Sequence, residues 1–299
     1  MTPYHLPVMA AECIEAMAIQ PAGVYVDVTF GGGGHSRLIL KALGENGRLF
    51  GFDQDLDALE NVPADQRFTL VQQNFRYLKR FLKLHGIKEV DGILADLGVS
   101  SHQLDEAERG FSYRFEAALD MRMNQAEERS AATVLNTATA EMLQRIFGSY
   151  GEVRNAKTLA EHIVQARQTR SLQTIGDLLA VLEPLIRGNR LRYLSQVFQA
   201  LRIEVNDEMG ALADMLAQAY EVLKPGGRLV VLSYHSIEDR LVKNFLKTGN
   251  ADGEVQKDFY GNIFRPFSFP DSKMSQPSEV EIRQNPRARS AKLRVGEKL

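Results

Sequence analysis

The feature that most constrains the fold of this chain is a run of four glycines, Gly31–Gly34, between a strand-like segment and a helix-like one. The apolar, β-branched run Val24–Phe30 carries the acid Asp27, and Ser36–Leu43 is compatible with a helix. A glycine turn between a strand and a helix is typical of nucleotide-binding α/β sheets, because a side chain there would keep the backbone away from the ligand. The sequence therefore predicts such a sheet, with a ligand at the glycine turn.

A second acid narrows the kind of ligand. Asp53 ends the next strand-like run, Arg48–Asp53, and follows Gly34 by 19 residues. A carboxylate at this spacing can accept both hydroxyl groups of a ribose, which predicts a ligand that contains adenosine. Asp55, two residues further on, is a competing candidate for the same role.

The glycine pattern also discriminates between cofactors. A dinucleotide site favours G-x-G-x-x-G, and here Ser36 stands at the third glycine position. A nicotinamide dehydrogenase is disfavoured for that reason, and because no hydride-transfer partner is evident. Asp27 instead favours a ligand with a positive ammonium group, such as S-adenosylmethionine. The spacing from Asp27 to Gly33 resembles the first motif of the Rossmann-like methyltransferases, with Thr29 where a first glycine is usual.

The order of elements predicts a parallel sheet covered on both sides. Helical patterns separate the early strand-like runs, and this alternation is typical of an α/β fold. Strands are expected at residues 24–30, 48–53, 68–72, 90–96 and 228–233. Helices are expected around the early strands at residues 8–18, 36–43, 56–61 and 77–85.

From Asp105 to about Leu201 helical stretches follow one another without a convincing strand. We therefore expect three segments: a first part of the core at 1–104, a helical insertion for substrate recognition at 105–202, and a second part of the core at 203–299. The helices expected in the insertion are 130–136, 139–147, 154–167, 174–185 and 193–203, with Ser130 and Thr139 as N-caps.

The return to the core begins with an amphipathic helix at 207–223, which Lys224–Gly227 is expected to stop before the strand at 228–233. The stretch 249–278, rich in Pro, Ser and Gly, is expected to be a long loop. Beyond it, alternating apolar and basic residues from Ala291 to Val295 predict an edge strand with an outward basic face.

Composition limits the compartment and the partners. The net charge of −2 and a pI of about 6.3 do not indicate nucleic-acid binding, so RNA would have to use local patches. The best patch is the tail 283–298, with six basic residues and one acid. The single cysteine, Cys13, suits a reducing cytosol and is expected in the core. Neither a leader nor a membrane-spanning run is evident, which favours a cytoplasmic, bacterial-type protein.

Further motifs lie in order along the whole chain. They are His5-x-Pro7-Val8, Asp91–Ser101, Glu108–Ser112, Leu119–Met123, Phe198–Asn206, Leu232–Arg240 and Asn285–Arg294. Together with the glycine turn, these motifs closely resemble the RsmH (MraW) family of S-adenosylmethionine-dependent 16S ribosomal RNA cytidine N4-methyltransferases. The chain departs from that family at His102, where proline is usual, and in Tyr113–Ala118 and Tyr193–Val197.

The resemblance implies a Rossmann-like methyltransferase core with an inserted all-helical domain. It also implies methylation of a cytidine amine in the decoding region of 16S rRNA, and the expected partner is this rRNA within the small ribosomal subunit. The donor-binding positions that it implies are Gly33, Gly34, His35, Asp53, Phe75, Asp96 and Gln103. The first three are expected to direct backbone N–H groups toward the methionine part of the donor. Asp53 is expected to bind the ribose, and Phe75 is expected to contact the adenine.

Asp96 is the candidate catalytic residue. The methyl group is already activated by the sulfonium, so the barrier is mostly one of placement, and neither a metal nor a covalent intermediate is expected. The lone pair of the exocyclic nitrogen of cytosine is delocalised into the ring. A hydrogen-bond acceptor for its N–H groups would make this nitrogen more nucleophilic. We hypothesise that Asp96, at the end of the fourth strand, is that acceptor, and that the Leu97 carbonyl is a second one. The alternative role for Asp96 is to orient the methyl donor.

RNA contacts are expected elsewhere. His235 follows the last core strand and is a candidate for the base or its phosphate, with a helix cap as the structural alternative. Arg287, Arg289 and Arg294 are candidates for phosphates. A target base must leave its stack, so an aromatic or apolar slot is expected, for which Phe111 and Tyr234 are candidates by position.

Two other function classes remain open from the residues alone. One is a methyltransferase that acts on a small molecule or a protein, which the near-neutral pI favours slightly. The other is a non-catalytic adenosine-binding or ribosome-assembly factor, which the acid Asp96 and the serines of its loop disfavour. Labelling of rRNA by the protein and a labelled methyl donor separates these classes.

Overall fold

The computed structural model describes residues 7–270 and 275–299, so His5 of the first motif lies outside the described residues. The chain divides into two compact units. One contains the residues up to Gly98 and those from Met209 onward, and the other is Val99–Glu208. The expected boundaries, after residues 104 and 202, each differ from these by six residues.

The first unit is built on a seven-stranded sheet with the order β3-β2-β1-β4-β5-β7-β6. Strands β1 to β5 are parallel, whereas β7 runs antiparallel to both β5 and β6. The strands are β1 Val24–Asp27, β2 Arg48–Phe52, β3 Phe68–Val71, β4 Val90–Asp96, β5 Leu223–Ser233, β6 Phe267–Ser268 and β7 Lys292–Lys298. Its α-helices are α1 Ala10–Met17, α2 Gly34–Ala42, α3 Leu78–Leu84, α10 Glu208–Val222, α11 Ser236–Thr248 and α12 Glu279–Gln284.

Alternate residues of the central strands enter two separate hydrophobic clusters. Val26 and Ile93 pack with α3, α10 and α11, whereas Tyr25 and Leu94 pack with α1 and α2. Side chains of a strand alternate between the two faces, so both faces of the sheet are covered by helices. Cys13 belongs to the second cluster and is fully buried, and the expectation of a core thiol is confirmed.

Several expected boundaries were wrong in detail. β1 ends at Asp27 rather than at Phe30, because the chain turns there toward the glycine loop. The helix expected at Leu56–Asn61 has the predicted bounds and is a 3-10 helix. β5 starts at Leu223 and therefore includes Lys224–Gly227, where the preceding helix was expected to stop. These four residues form a bulge, because Val90 pairs with Leu223 and the next pair is Gly92 with Arg228.

The C-terminal strand β7 was expected at an edge of the sheet, and the structure contradicts this. Phe267 and Ser268, within the expected long loop, form β6 and pair with Lys298 and Glu297. Ser275 forms a further bridge with Leu293. Within the described residues no helix is long and apolar enough to span a membrane.

The second unit consists of helices around one hydrophobic cluster. Its α-helices are α4 Ser101–Asp105, α5 Ala131–Thr137, α6 Ala140–Gly151, α7 Ala156–Thr169, α8 Ile175–Leu182 and α9 Arg190–Val205. The described β-pairing in this unit is one isolated bridge between Ala118 and Thr174. Ser130 and Thr139 cap α5 and α6 as expected. The fold is therefore α/β, with a Rossmann-like core and a helical insertion.

Asn206 joins two motifs that lie far apart in the sequence of this unit. Its Oδ1 accepts the Met123 N–H at 2.7 Å, and its Nδ2 donates to the Met121 carbonyl at 2.8 Å. Met121 is fully buried and has a left-handed φ of 62°. The amide therefore holds a strained, buried segment against the end of α9.

We expect Asn206→Ala to lower the free energy of unfolding by about 2–3 kcal/mol, because it leaves buried backbone groups without partners. Chemical denaturation followed by circular dichroism measures this change. Gln144→Ala, on the exposed face of α6, is the control and should change stability by less than about 0.5 kcal/mol. Equal stability of the two variants would contradict the role of Asn206.

Candidate active site

The candidate site lies at the carboxyl edge of the sheet. The strand order reverses between β1 and β4, and ligands of open α/β sheets bind outside the carboxyl ends of the strands at such a switch point. Asp27 ends β1 and Asp96 ends β4, so they flank this point. Asp53 follows β2, and Tyr234 follows β5.

The glycine turn leads directly into α2. Gly31 and Gly33 adopt left-handed φ values of 48° and 72°, which residues with a side chain rarely adopt. The Gly33 N–H donates to the Phe30 carbonyl at 2.7 Å within the turn, and the donor-binding role of Gly33 stays a prediction. The N–H groups of Gly34 and His35 stand in the first turn of α2, where helix geometry supplies no carbonyl partner.

Both carboxylate oxygens of Asp53 are fixed by backbone N–H groups. Its Oδ2 accepts the Gly31 N–H at 2.7 Å and its Oδ1 accepts the Asp55 N–H at 2.9 Å, which orients both oxygens. Burial raises the pKa of Asp53 to about 6. Asp55 instead caps the 3-10 helix by accepting the Asp57 N–H. The geometry therefore favours Asp53 over Asp55 as the ribose ligand.

Asp27 ties the loop together and does not reach the surface. Its side chain is 1% exposed, and it accepts the Ser36 hydroxyl at 2.7 Å and the Thr29 N–H at 3.1 Å. The Thr29 hydroxyl also accepts the Asp96 N–H at 2.7 Å. A direct contact between Asp27 and an ammonium group is contradicted, because these donors cover the carboxylate. Thr29, where a glycine is usual, links β1 to β4.

Asp96 is held by two side chains. The Tyr234 hydroxyl donates to its Oδ1 at 2.6 Å, and His35 Nδ1 lies 3.7 Å from its Oδ2. The Asp96 side chain is 24% exposed, so the carboxylate is enclosed but still reaches the surface. Burial raises the pKa of Asp96, and His35 and the Tyr234 hydroxyl oppose that rise. His35 is itself fixed by a 3.0 Å contact from Nε2 to the Val8 carbonyl.

We expect Tyr234→Phe to raise the pKa of Asp96 further, because the hydroxyl stabilises the charged carboxylate. If activity requires that carboxylate ionised, the acidic limb of the pH–rate profile moves to higher pH. The pH dependence of the reaction rate measures this shift. Tyr220→Phe, whose ring packs against Phe264 and Phe267, is the matched control and should keep the wild-type profile.

Two other positions implied by the resemblance lie on short helices. Phe75 begins a 3-10 helix after β3 and is partly buried against the core. Gln103 lies in the second unit, where its Oε1 accepts the Ser100 N–H and completes a capping box at the start of α4. The donor-binding roles of Phe75 and Gln103 stay predictions.

His235 takes the structural role that the sequence left open. It is the N-cap of α11, and its Nδ1 accepts the Glu238 N–H at 3.4 Å. The Glu238 carboxylate in turn accepts the N–H groups of Tyr234 and His235. The cap and the carboxylate together place Tyr234 beside Asp96.

The arginine candidates for RNA differ in their surroundings. Arg289 is exposed, and Arg287 is half-buried in the same 3-10 helix. Arg294 lies on β7 and donates to the Asp239 carboxylate at 2.5 Å. Phe111 is 6% exposed in the core of the second unit, so it is unsuited to serve as an open slot for a base. Phosphate contacts by the three arginines stay predictions.

Three buried or enclosed carboxylates give this edge a negative potential. The charge of Asp27 raises the pKa values of both Asp53 and Asp96, in addition to the effect of burial. An anionic phosphate at the glycine turn would add to this repulsion, whereas a cationic ligand would relieve it. The site therefore fits a donor that carries a sulfonium and an ammonium group better than a dinucleotide.

Comparison with known proteins settles the family. A model described as the MraW methylase family matches residues 2–299. This chain belongs to that family. A ribosomal RNA small subunit methyltransferase H from Parabacteroides distasonis is 56% identical over 298 residues, which cover 99% of this chain and 98% of the relative. Its namesake from Bacteroides thetaiotaomicron is 57% identical over 296 residues, which cover 99% and 97%.

Solved structures are more distant from this member of the MraW methylase family. A putative rRNA methylase from Clostridium thermocellum has 15% sequence identity and a TM-score of 0.45, and the alignment covers 98% of this chain and 97% of that one. That likeness is too remote to bear on function. Membership of the family rests on the match along the sequence.

Sequence reasoning missed the polar contacts that orient the acids. It treated Ser36 only as the residue at the third glycine position, and Tyr234 only as a candidate to line a slot for the target base. The Tyr234 contact had a signal in the element order, because the ends of neighbouring parallel strands meet at one edge. Asp96 pairs in register with Leu232, so Tyr234 stands two residues beyond the level of Asp96.

Proposed function

We propose that this protein transfers a methyl group from S-adenosylmethionine to the exocyclic N4 of a cytidine in the decoding region of 16S rRNA. The single observation that carries the proposal is the match to the MraW methylase family over residues 2–299. The negative edge formed by Asp27, Asp53 and Asp96 supports a cationic donor. The names of the relatives support small-subunit rRNA as the substrate.

Each residue of the site has a task in this mechanism. When bound, the donor supplies a methyl group that its sulfonium has activated. Asp53 would accept the ribose hydroxyls, and the N–H groups of Gly34 and His35 would face the methionine part. The ring of Phe75 would lie against the adenine, and Gln103 is a further donor-binding candidate. Together these residues would hold the donor for attack by the incoming nitrogen.

Asp96 acts on the nucleophile. Its carboxylate accepts an N–H of the cytosine amine and draws the nitrogen lone pair out of conjugation, with the Leu97 carbonyl as a second acceptor. After transfer, the same carboxylate is placed to take the proton that the nitrogen loses. Tyr234 and His35 hold the Asp96 oxygens in place during both steps.

The proposed substrate also indicates where the protein works. Bacterial rRNA is modified and assembled in the cytoplasm, and we place this protein there, with the small ribosomal subunit as its partner. Arg287, Arg289 and Arg294 are proposed phosphate contacts, and each should add roughly one counterion to the salt dependence of binding.

Mass spectrometry of rRNA nucleosides tests the proposal. Purified full-length protein is incubated with isotopically labelled S-adenosylmethionine and with small subunits that lack the modification, or with their naked rRNA. Labelled N4-methylcytidine in 16S rRNA is the expected product. Label in a protein, in a small molecule or at another base would contradict it. Failure of equilibrium dialysis to detect donor binding would exclude the donor.

A further inference from the structure

A short hairpin in the first unit displays two aromatic rings to solvent. Phe259 is 98% exposed and Tyr260 is 86% exposed, and their rings lie edge to face with centroids 5.7 Å apart. Most large apolar side chains of this unit enter the two clusters that flank the sheet. This pair is therefore a feature of the surface and not of the core.

The hairpin is ordered by its own hydrogen bonds. Lys257 and Ile263 form an antiparallel bridge, and Gly261 takes the left-handed φ of 85° that the turn requires. The Asp258 carboxylate accepts the backbone N–H groups of Tyr260 and Asn262 at 2.9 and 2.8 Å. The backbone of a turn closed in this way has little conformational entropy left to lose on binding.

The base of the hairpin is anchored to α11 and to the core. The Phe264 ring packs edge to face on Tyr220 with centroids 6.2 Å apart. The Asn244 amide of α11 donates to the Ala251 carbonyl at 3.4 Å, and Gly253 lies directly against the same amide. The base of the hairpin is therefore fixed against the second half of α11.

Exposed cations lie on α11 and on the hairpin itself. Arg240, Lys243 and Lys247 lie at helical spacing on one exposed side of α11. Residues 240–265 contain five exposed cations and three exposed acids, although the whole chain has a net charge of −2. One of these acids, Asp258, is engaged in closing the turn. The surface is therefore locally positive.

We propose that the surface formed by the hairpin tip and the exposed side of α11 binds single-stranded RNA. Unpaired bases stack on Phe259 and Tyr260, and the phosphates lie near Lys243 and Lys247. Aromatic platforms beside a positive groove are the general means by which proteins hold single strands without reading their sequence. The inference rests on the proposed function, because it adds a docking surface for the same rRNA.

A tryptophan reporter tests the stacking directly, since the chain contains no tryptophan. Tyr260→Trp is mixed, without methyl donor, with an unstructured oligoribonucleotide of about 12 nucleotides. Stacked bases should quench and shift the emission in a saturable way. Leu84→Trp, at a position that is 70% exposed on α3, is the control and should show no saturable change. Equal responses of the two variants would overturn the proposal.

Affinity variants provide a second measurement. In the full chain, Phe259→Ala with Tyr260→Ala should weaken the affinity for the oligonucleotide about ten-fold or more. Phe259→Tyr with Tyr260→Phe keeps both rings and should retain wild-type affinity. Lys243→Ala with Lys247→Ala should reduce the salt slope by about 1.4, whereas Lys83→Ala with Lys88→Ala, which removes the same charge elsewhere, should not.

The outcomes separate this inference from the proposed function. If the wild type methylates 16S rRNA but the alanine variants bind the oligonucleotide normally, the docking surface is refuted and the proposed function stands. If those variants lose activity only on assembled subunits, with unchanged RNA affinity, the partner is a protein and the inference is also wrong. Absence of methylation by the wild type refutes the proposed function, and the donor-free binding assay still decides on the hairpin.

Discussion

Asp96→Asn is expected to reduce kcat by about 100-fold or more at saturating methyl donor. Asparagine has the same shape and can still accept the Tyr234 hydroxyl that now lies 2.6 Å from Oδ1. It lacks the negative charge, however, and it cannot take a proton from the cytosine amine. The loss should therefore appear in kcat more than in the KM for the donor. Initial rates of methyl transfer at several donor concentrations measure both constants.

The control for this variant lies at the opposite end of the same strand. Glu89 is exposed and directly precedes β4, so Glu89→Gln removes one acid without touching the carboxyl edge. It should leave kcat unchanged. If Asp96→Asn kept a normal kcat and raised only the KM, Asp96 would orient the donor and would not assist the nucleophile.

Asp53→Asn should weaken donor binding about 10- to 100-fold, with a smaller effect on kcat. The reason is that two hydrogen bonds from ribose hydroxyls to a carboxylate become bonds to a neutral amide, and bonds to charged groups contribute about 1.5–3 kcal/mol. Equilibrium dialysis with labelled S-adenosylmethionine measures the dissociation constant.

Asp55→Asn is the matched control for this experiment. Asp55 caps the 3-10 helix Leu56–Asn61, and asparagine is an equally good cap. Its donor affinity should therefore remain close to that of the wild type. A larger loss in Asp55→Asn than in Asp53→Asn would transfer the ribose contact to the second acid.

Donor affinity should also depend on pH through Asp53. Burial raises the pKa of Asp53 from its usual value to about 6 in the protein without ligand. The ionised form, which accepts both hydroxyls, predominates above that pH, and the neutral form predominates below it. Affinity should consequently fall as the pH is lowered through about 6, and this dependence should be absent in Asp53→Asn.

Local sequence patterns were enough to predict the core strands and the change to a helical insertion. Apolar runs such as Leu49–Phe52 bury both faces of a covered sheet, and such runs are visible in the sequence. The short pairing of Phe267 and Ser268 with the last strand was not predictable in this way. Two residues carry no periodic signal, and their partners are about thirty residues away in the chain.

The sequence by itself determined the glycine turn, the acid at the end of each of the first two strands and the family, because each depends on residue types at short or ordered spacings. Only the tertiary structure decided how these acids are used. The Asp27 carboxylate accepts bonds from Ser36 and Thr29 and is fully buried, whereas the Asp53 carboxylate accepts only backbone N–H groups among the described residues, although both acids follow similar apolar runs. The difference arises because hydrogen-bond donors reach a carboxylate through the packing of separate strands, and that packing sets burial and charge at atoms far apart in the chain.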